Sequence, residues 1–310
     1  MTRAPLDRRT LGRALTQLAN ASAADLLERS DPQTPAAPAR RIGLTGAPGA
    51  GKSTLAGHLA LHRTQHPSAG RRVGVLAIDP SSPRTGGAIL GDRIRIDELP
   101  GASELYIRSI GSRSACDGLS DNLPEMLDLM DAHGFDDVIL ETVGVGQTEY
   151  AARVQVETLV LVLLPDSGDT VQAMKAGIME MADIFVVNKS DLAGAPRMAS
   201  DIRRIAALAP HDAETWRAPV LLTSSRDPAS VAALSEAIDD HQRWLDAHGR
   251  RGQLALHRAR YRLRRLLERR VAEVVDCFDA RVFDAPFAQQ VSTAIGALPL
   301  TPTPEETRRC

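Results

Sequence analysis

The residues Gly46-Ala47-Pro48-Gly49-Ala50-Gly51-Lys52-Ser53-Thr54 have the spacing G-x-x-x-x-G-K-[ST], a pattern suited to holding polyphosphate. Glycines let backbone N–H groups converge on phosphate oxygens, and the positive end of a following helix adds to that field. In such a loop Lys52 reaches the β- and γ-phosphates and the Ser53 hydroxyl ligates magnesium. The surroundings suit this use. Residues 41–45 are an apolar strand candidate running into the glycines, and Leu55, Leu59 and Ala60 continue at helical spacing, giving strand, loop and helix in the required order. A nucleoside triphosphatase with Mg2+ as cofactor is the expectation, with Lys52 and Ser53 at its centre.

Two further stretches select the base and place the metal. Asn188-Lys189-Ser190-Asp191 follows the strand candidate 184–187 and fits N-K-x-D. Its Asp191 carboxylate can accept from both the ring N–H and the exocyclic amino group of guanine, a donor pair that adenine lacks. A site built to hydrogen-bond such a group rejects analogues without it by roughly 10⁴ or more, so GTP is the expected substrate. Thr223-Ser224-Ser225 ends the last strand, where a backbone N–H is expected against the guanine oxygen. Between these motifs the strand candidate 138–140 ends in Glu141, with Gly144 three residues on. This resembles D-x-x-G with a glutamate: the acid faces Ser53 across the metal, and the Gly144 N–H approaches the γ-phosphate. An earlier strand ends in Asp79, and Asp92 follows in Gly91-Asp92-Arg93. Asp79, Asp92 and Glu141 are thus three acids for one metal.

The elements that must carry these motifs alternate along the chain. Apolar β-type runs recur at 41–45, 73–78, 105–107, 138–140, 159–164, 184–187 and 220–222. Helical patterns separate most of them, such as Leu123, Met126, Leu127 and Met130, or Met174, Ile178 and Met181. This is an α/β fold of the P-loop NTPase type, a doubly wound, mostly parallel sheet of about seven strands. The strands are apolar almost throughout, as doubly covered strands should be. Leu11, Leu15, Leu18, Leu26 and Leu27 mark a leading helical arm, and prolines then break the pattern. The expected organisation is 1–39 arm and linker, 40–248 nucleotide domain, 249–298 C-terminal helical region and 299–310 disordered tail. In the helical segment 253–278, Leu256, Leu263, Leu266, Leu267, Val271, Val274 and Val275 form a stripe that needs a partner surface. Arg258, Arg262, Arg265, Arg269 and Arg270 fall on other faces and read as a solvated face.

Composition excludes several classes. With 43% hydrophobic and 25% charged residues the 310-residue chain can bury a full core. Thirty-seven basic against 39 acidic residues give a net charge of −2 and no global pull toward nucleic acid or anionic membrane. No apolar run approaches the roughly 20 residues that cross a bilayer, and the first twenty residues lack a signal-type core, so a cytoplasmic protein is expected. Cys116, Cys277 and Cys310 are widely spaced without metal-site companions, so neither a disulfide framework nor a zinc site is indicated.

The stretches Asp79-Pro80-Ser81-Ser82-Pro83-Arg84-Thr85-Gly86-Gly87-Ala88-Ile89-Leu90-Gly91-Asp92 and Glu141-Thr142-Val143-Gly144-Val145-Gly146-Gln147 resemble the MeaB/ArgK GTPases, which are associated with methylmalonyl-CoA mutase. The resemblance covers the arm from Leu11 to about Ser225 and fades beyond residue 250. It implies a homodimer, joined through the C-terminal helical region, that binds a cobalamin-dependent acyl-CoA mutase. GTP would gate loading of adenosylcobalamin and protect the mutase, with an adenosyltransferase as a further partner and neither nucleic acid nor membrane. By the same resemblance Asp79, Asp92 and Glu141 are the metal-associated acids, and Lys175 lies by an additional switch loop, residues 166–170. The chain departs from the family at 112–119, which is poorer in glycine. Gln147 stands three residues beyond Gly144, so no residue is assigned to positioning water, and intrinsic turnover of roughly 10⁻⁴ to 10⁻² per second is expected. A P-loop kinase is disfavoured because no second acceptor constellation is present. A nickel-insertion GTPase is disfavoured because the eight His and three Cys are scattered.

Overall fold

A computed structural model describes residues 5–29, 38–65, 71–80, 102–112, 121–142, 147–165, 177–207, 212 and 214–298, without the side chains of 79, 80, 102, 112, 147–149 and 178. In chain order the elements are α1 (Arg8–Asn20), α2 (Ala23–Glu28), β1 (Arg40–Thr45), α3 (Lys52–Thr64), β2 (Val73–Pro80), β3 (Leu105–Ser112), α4 (Leu123–Ala132), β4 (Asp137–Glu141), α5 (Gln147–Gln155), β5 (Thr158–Leu163), β6 (Ile184–Val187) and β7 (Val220–Leu222). Helices Ala195–Ala206, Pro228–Ala247, Arg251–Asp276 and Phe287–Gly296 complete them. The strands form one sheet in the order β3-β2-β4-β1-β5-β6-β7, and every described pairing is parallel.

The expected doubly wound sheet is the observed one, and its core explains the strand composition. Leu55 and Leu59 of α3 join Val231, Leu234 and Ile238 of the Pro228–Ala247 helix over Ile42, Leu44 and Val160. On the opposite face Leu11 and Leu15 of α1, Met126 and Met130 of α4 and Ala152 of α5 pack on Leu76, Leu140 and Leu159. Covered on both sides, β5 buries all six of its residues, so no polar alternation survives. The leading arm is part of this core. Asp7 caps α1 through the N–H groups of Arg9 and Thr10, and Ser22 with Asp25 forms a capping box that restarts the chain as α2. β3 runs past the apolar stretch 105–107 because Arg108 is used structurally: its guanidinium donates to Gly12 O at 2.6 Å and Thr16 Oγ1 at 2.9 Å on α1. Of the helical pattern at Met174, Ile178 and Met181, the described part is a single 3₁₀ turn, Ile178–Glu180, and Met174 lies outside the described residues.

The Arg251–Asp276 helix corrects the reading of its arginines. They are not a solvated face. Arg258 pairs with Glu157 at 2.5 Å, Arg262 with Glu125 at 2.9 Å and Asp128 at 3.0 Å, Arg265 with Asp121 at 3.6 Å, and Arg269 reaches Asn122 and Ala21 O. Spaced i, i+4, i+7, i+11, these four lie on one face and carry the helix onto the nucleotide domain. Four residues of the apolar stripe, Leu256, Leu263, Leu267 and Val271, point the other way, while Val274 is buried. Leu263 is 60% exposed, and Leu256, Leu267, Val271, Phe283, Phe287, Val291 and Ile295 are exposed as well. Long arginine stems cross a half-polar surface while their heads meet one buried acid, Glu157, and the half-buried Glu125, Asp128 and Asp121, so hydrophobicity alone misjudged which face docks. Cys277 at the helix end is disulfide-bonded, a link that the wide cysteine spacing does not announce. Among the described residues no helix is long and apolar enough to cross a membrane.

Away from the phosphate loop, at the amino edge of the sheet, a buried pair makes a pH prediction. Asp183 precedes β6, and burial pushes its carboxyl up from 3.8 to about 6 against the pull of Arg153 and the Leu159 N–H. His241 Nε2 lies 3.4 Å from it; burial, with Arg153 and Arg251 adding, lowers that imidazole from 6.5 to about 3. The raised carboxyl contributes stability present at low pH and lost as pH rises through about 6. The depressed histidine contributes stability present above 6.5 and lost as pH falls toward about 3. Between about pH 4 and 6 the pair holds one proton folded and one unfolded, so the slopes cancel. In Asp183→Asn the histidine is left unbalanced, and the stability of the variant relative to wild type should fall by up to ~1.4 kcal/mol for each unit by which the pH is lowered across that window. Urea melts at both ends of the window measure it, and a pH-independent difference would refute the pairing.

Candidate nucleotide-binding site

The phosphate loop sits at the carboxyl end of β1, between β4 and β5. Its backbone admits only glycine at two places. Gly46 has φ 140°, and a Cβ there would stand 2.0 Å from the carbonyl oxygen of Val162; Gly51 has φ 85°, and a Cβ there would stand 2.6 Å from Asn188 Nδ2. α3 starts directly after Gly51, so its free N–H groups face the loop. Lys52 is buried and its Nζ donates to Gly46 O at 2.8 Å and Ala47 O at 2.9 Å. The ammonium is thereby held inside the curl that would receive the phosphates.

The metal-associated residues meet at the next strand. Because β1 and β4 pair with Leu44 opposite Glu141, the acid ending β4 comes level with the loop, and Ser53 Oγ donates to Glu141 Oε1 at 2.5 Å. A hydroxyl and a carboxylate are hard oxygen donors, the chemistry magnesium takes, so the pair fits that ion. Asp79 lies on β2 two residues past Ala77, the register partner of Glu141, and therefore on the same edge. Its side chain, Asp92, Gly144 and Lys175 lie outside the described residues, as does most of 112–119. Among the described residues no three His, Cys, Asp or Glu side chains cluster as a metal site.

At the other end of the loop the base motif is tied to the phosphate motif. Asn188 Nδ2 donates to Ala50 O at 2.8 Å, and its Oδ1 accepts from Thr223 Oγ1 at 2.9 Å. The left-handed backbone of Lys189, φ 53°, turns the chain outward, leaving Asp191 exposed. Ser224 Oγ donates to Asp191 Oδ1 at 3.3 Å, while the Ser224 N–H donates to Ser230 Oγ at 3.2 Å. Ser225 follows, exposed. Lys52, Ser53, Glu141, Asn188, Asp191 and Ser224 are thus brought to one edge of the sheet, with acceptors for a base at one end and a cationic, metal-fitted cradle at the other. Sequence reasoning passed over three hydroxyl residues, Thr45, Thr142 and Ser230, and gave the side chain of Thr223 no role. Their signal is faint but physical: a Ser or Thr at a buried strand end or helix start, where a backbone or side-chain polar group needs a partner.

A family profile described as methylmalonyl Co-A mutase-associated GTPase MeaB matches residues 10–279. A Pyrococcus horikoshii protein named as a GTPase is 39% identical over 248 residues, covering 79% of this chain and 77% of its own length. GTPase ArgK of Escherichia coli is 35% identical, covering 74% of this chain and 70% of its own. The mitochondrial methylmalonic aciduria type A homolog of Mus musculus is 36% identical over 67% of this chain and half of its own length. A solved structure of a LAO/AO transport system kinase aligns with 98% of the chain and 96% of its own at TM-score 0.62 and 24% identity, a likeness of fold.

Proposed function

Because this chain belongs to the MeaB family of methylmalonyl-CoA mutase-associated GTPases, we propose that it binds and hydrolyses GTP to gate cofactor loading and protection of an adenosylcobalamin-dependent acyl-CoA mutase. The observation that carries the reading is the single edge on which Ser53 bonds Glu141 and Asn188 bonds the phosphate loop. Base selection and phosphate chemistry are thereby mechanically joined. Asp191 accepts from guanine, with Lys189 and the 224–225 backbone beside it. The loop N–H groups and Lys52 take the phosphates. Ser53 and Glu141, with Asp79 and Asp92, would hold Mg2+, which when bound neutralises charge on the β- and γ-phosphates. Gly144 would sense the γ-phosphate. Intrinsic turnover is slow, roughly 10⁻⁴ to 10⁻² per second, until a partner completes the site. The partners in this reading are the mutase, the adenosyltransferase that supplies its cofactor, and a second copy of the chain packed on the exposed apolar stripe of the C-terminal helices.

Mutase should stimulate GTP turnover, and Lys175→Ala should remove that stimulation while basal turnover stays. In this reading, which takes the role of Lys175 from the family resemblance, Lys175 serves a switch loop, and a partner that prefers one nucleotide state is in turn released by the other. Turnover of wild type and variant is compared with mutase and with an unrelated protein. No stimulation of wild type would sink the chaperone reading. A variant that responds like wild type would sink only the role of Lys175, and a monomer in sedimentation at micromolar concentration would remove the dimer.

A further inference from the structure

β1 and β4 end as a fork. Thr142 N–H donates to Leu44 O at 3.0 Å, the last rung before one chain turns at Gly46 into the phosphate loop and the other leaves toward 143. Inside the fork Thr142 Oγ1 donates to Thr45 Oγ1 at 3.0 Å. Both threonines are buried, at 1% and 0% exposure, where a hydroxyl without a partner is penalised, so the bond fixes the spacing of the two chains. Each threonine is one residue from a working group. Thr45 precedes Gly46, whose carbonyl holds Lys52, and Thr142 follows Glu141, whose carboxylate holds Ser53. Glutamate has one more rotatable bond than aspartate, so a Glu at this place depends more on where its backbone stands.

We propose that the Thr45–Thr142 hydroxyl pair is a positioning device for the metal end of the site, holding Glu141 in reach of Ser53. The inference rests on the reading that Ser53 and Glu141 hold the divalent ion. Supporting groups around metal ligands change affinity or activity by about 10- to 100-fold when removed. Thr142→Val keeps the shape and deletes the bond. It should raise the Mg2+ concentration giving half-maximal GTP turnover about tenfold or more, and weaken Mn2+ binding to the GDP-loaded protein, read by electron paramagnetic resonance, to the same degree. At saturating Mg2+ its KM for GTP should stay within about twofold of wild type. Thr142→Ser should restore wild-type behaviour, because it keeps the hydroxyl. Thr45→Val should reproduce the shift, and it replaces Thr142→Val in the test if that variant does not fold. An unchanged metal midpoint in a folded valine variant, or a serine variant no better than valine, overturns the proposal. Metal-independent turnover in wild type would instead overturn the metal assignment beneath it.

Discussion

Replacing Lys52 with alanine is expected to lower GTP turnover by about 10²- to 10³-fold, the loss seen when one preorganised donor to developing charge is removed. The site gives the reason in its present form. The ammonium is buried and bonded to two loop carbonyls, so it is already desolvated and aimed, and binding phosphate requires only an exchange of acceptors. Triphosphate affinity should fall with turnover, because Lys52 is the loop's own cation on the β/γ end. Single-turnover hydrolysis and titration with a non-hydrolysable triphosphate measure the two losses. Alanine also strips the Gly46 and Ala47 carbonyls of a charged donor, so melting curves must accompany the kinetics. Turnover within tenfold of wild type in a folded variant would remove the phosphate-loop reading altogether.

Asp191→Asn should exchange the preferred base. The carboxylate accepts from two donors of guanine; an amide accepts from one and donates to the other position, which suits the carbonyl of xanthine. The preference for GTP over xanthosine triphosphate should reverse, with a combined change of roughly 10² to 10⁴. Ser224 keeps the variant interpretable. Its hydroxyl, 3.3 Å from Asp191 Oδ1, can donate to the acid or accept from the amide, so the side chain stays oriented in both. Competition titrations with both nucleotides decide the matter, and unchanged GTP affinity would remove the guanine assignment.

Much of this was written in the chain at short range. Strand, glycine loop and Lys52-Ser53 announce themselves within about fifteen residues, and the all-apolar runs announce a sheet covered twice. The reach of Glu141 to Ser53 was also foreseeable, since an acid at the end of the neighbouring strand must come level with the loop. What was not legible depends on register and on facing. Thr45 and Thr142 are ordinary strand-end residues until Leu44 and Glu141 are known to pair. The four arginines at 258, 262, 265 and 269 have the spacing of a single helix face, yet the sequence does not say that Glu157, Glu125, Asp128 and Asp121 wait beneath it. Periodicity identifies a stripe. Deciding which stripe docks takes the charge of a surface assembled from distant segments.

That inverted helix has a consequence for how the molecule answers its medium. The inner face of Arg251–Asp276 is held by ion pairs, several of them with partly exposed partners, and added salt screens such contacts once the Debye length drops toward 3 Å at about 1 M. The outer side carries the exposed stripe of Leu256, Leu263, Leu267 and Val271, and an excluded salt such as sulfate strengthens apolar association. Ionic strength therefore pulls the two sides of one helix in opposite senses, loosening its hold on its own domain while favouring what packs from outside. A helix built this way is an adjustable hinge plate: its attachment inward and its attachment outward are set by different forces, and the solvent shifts the balance between them.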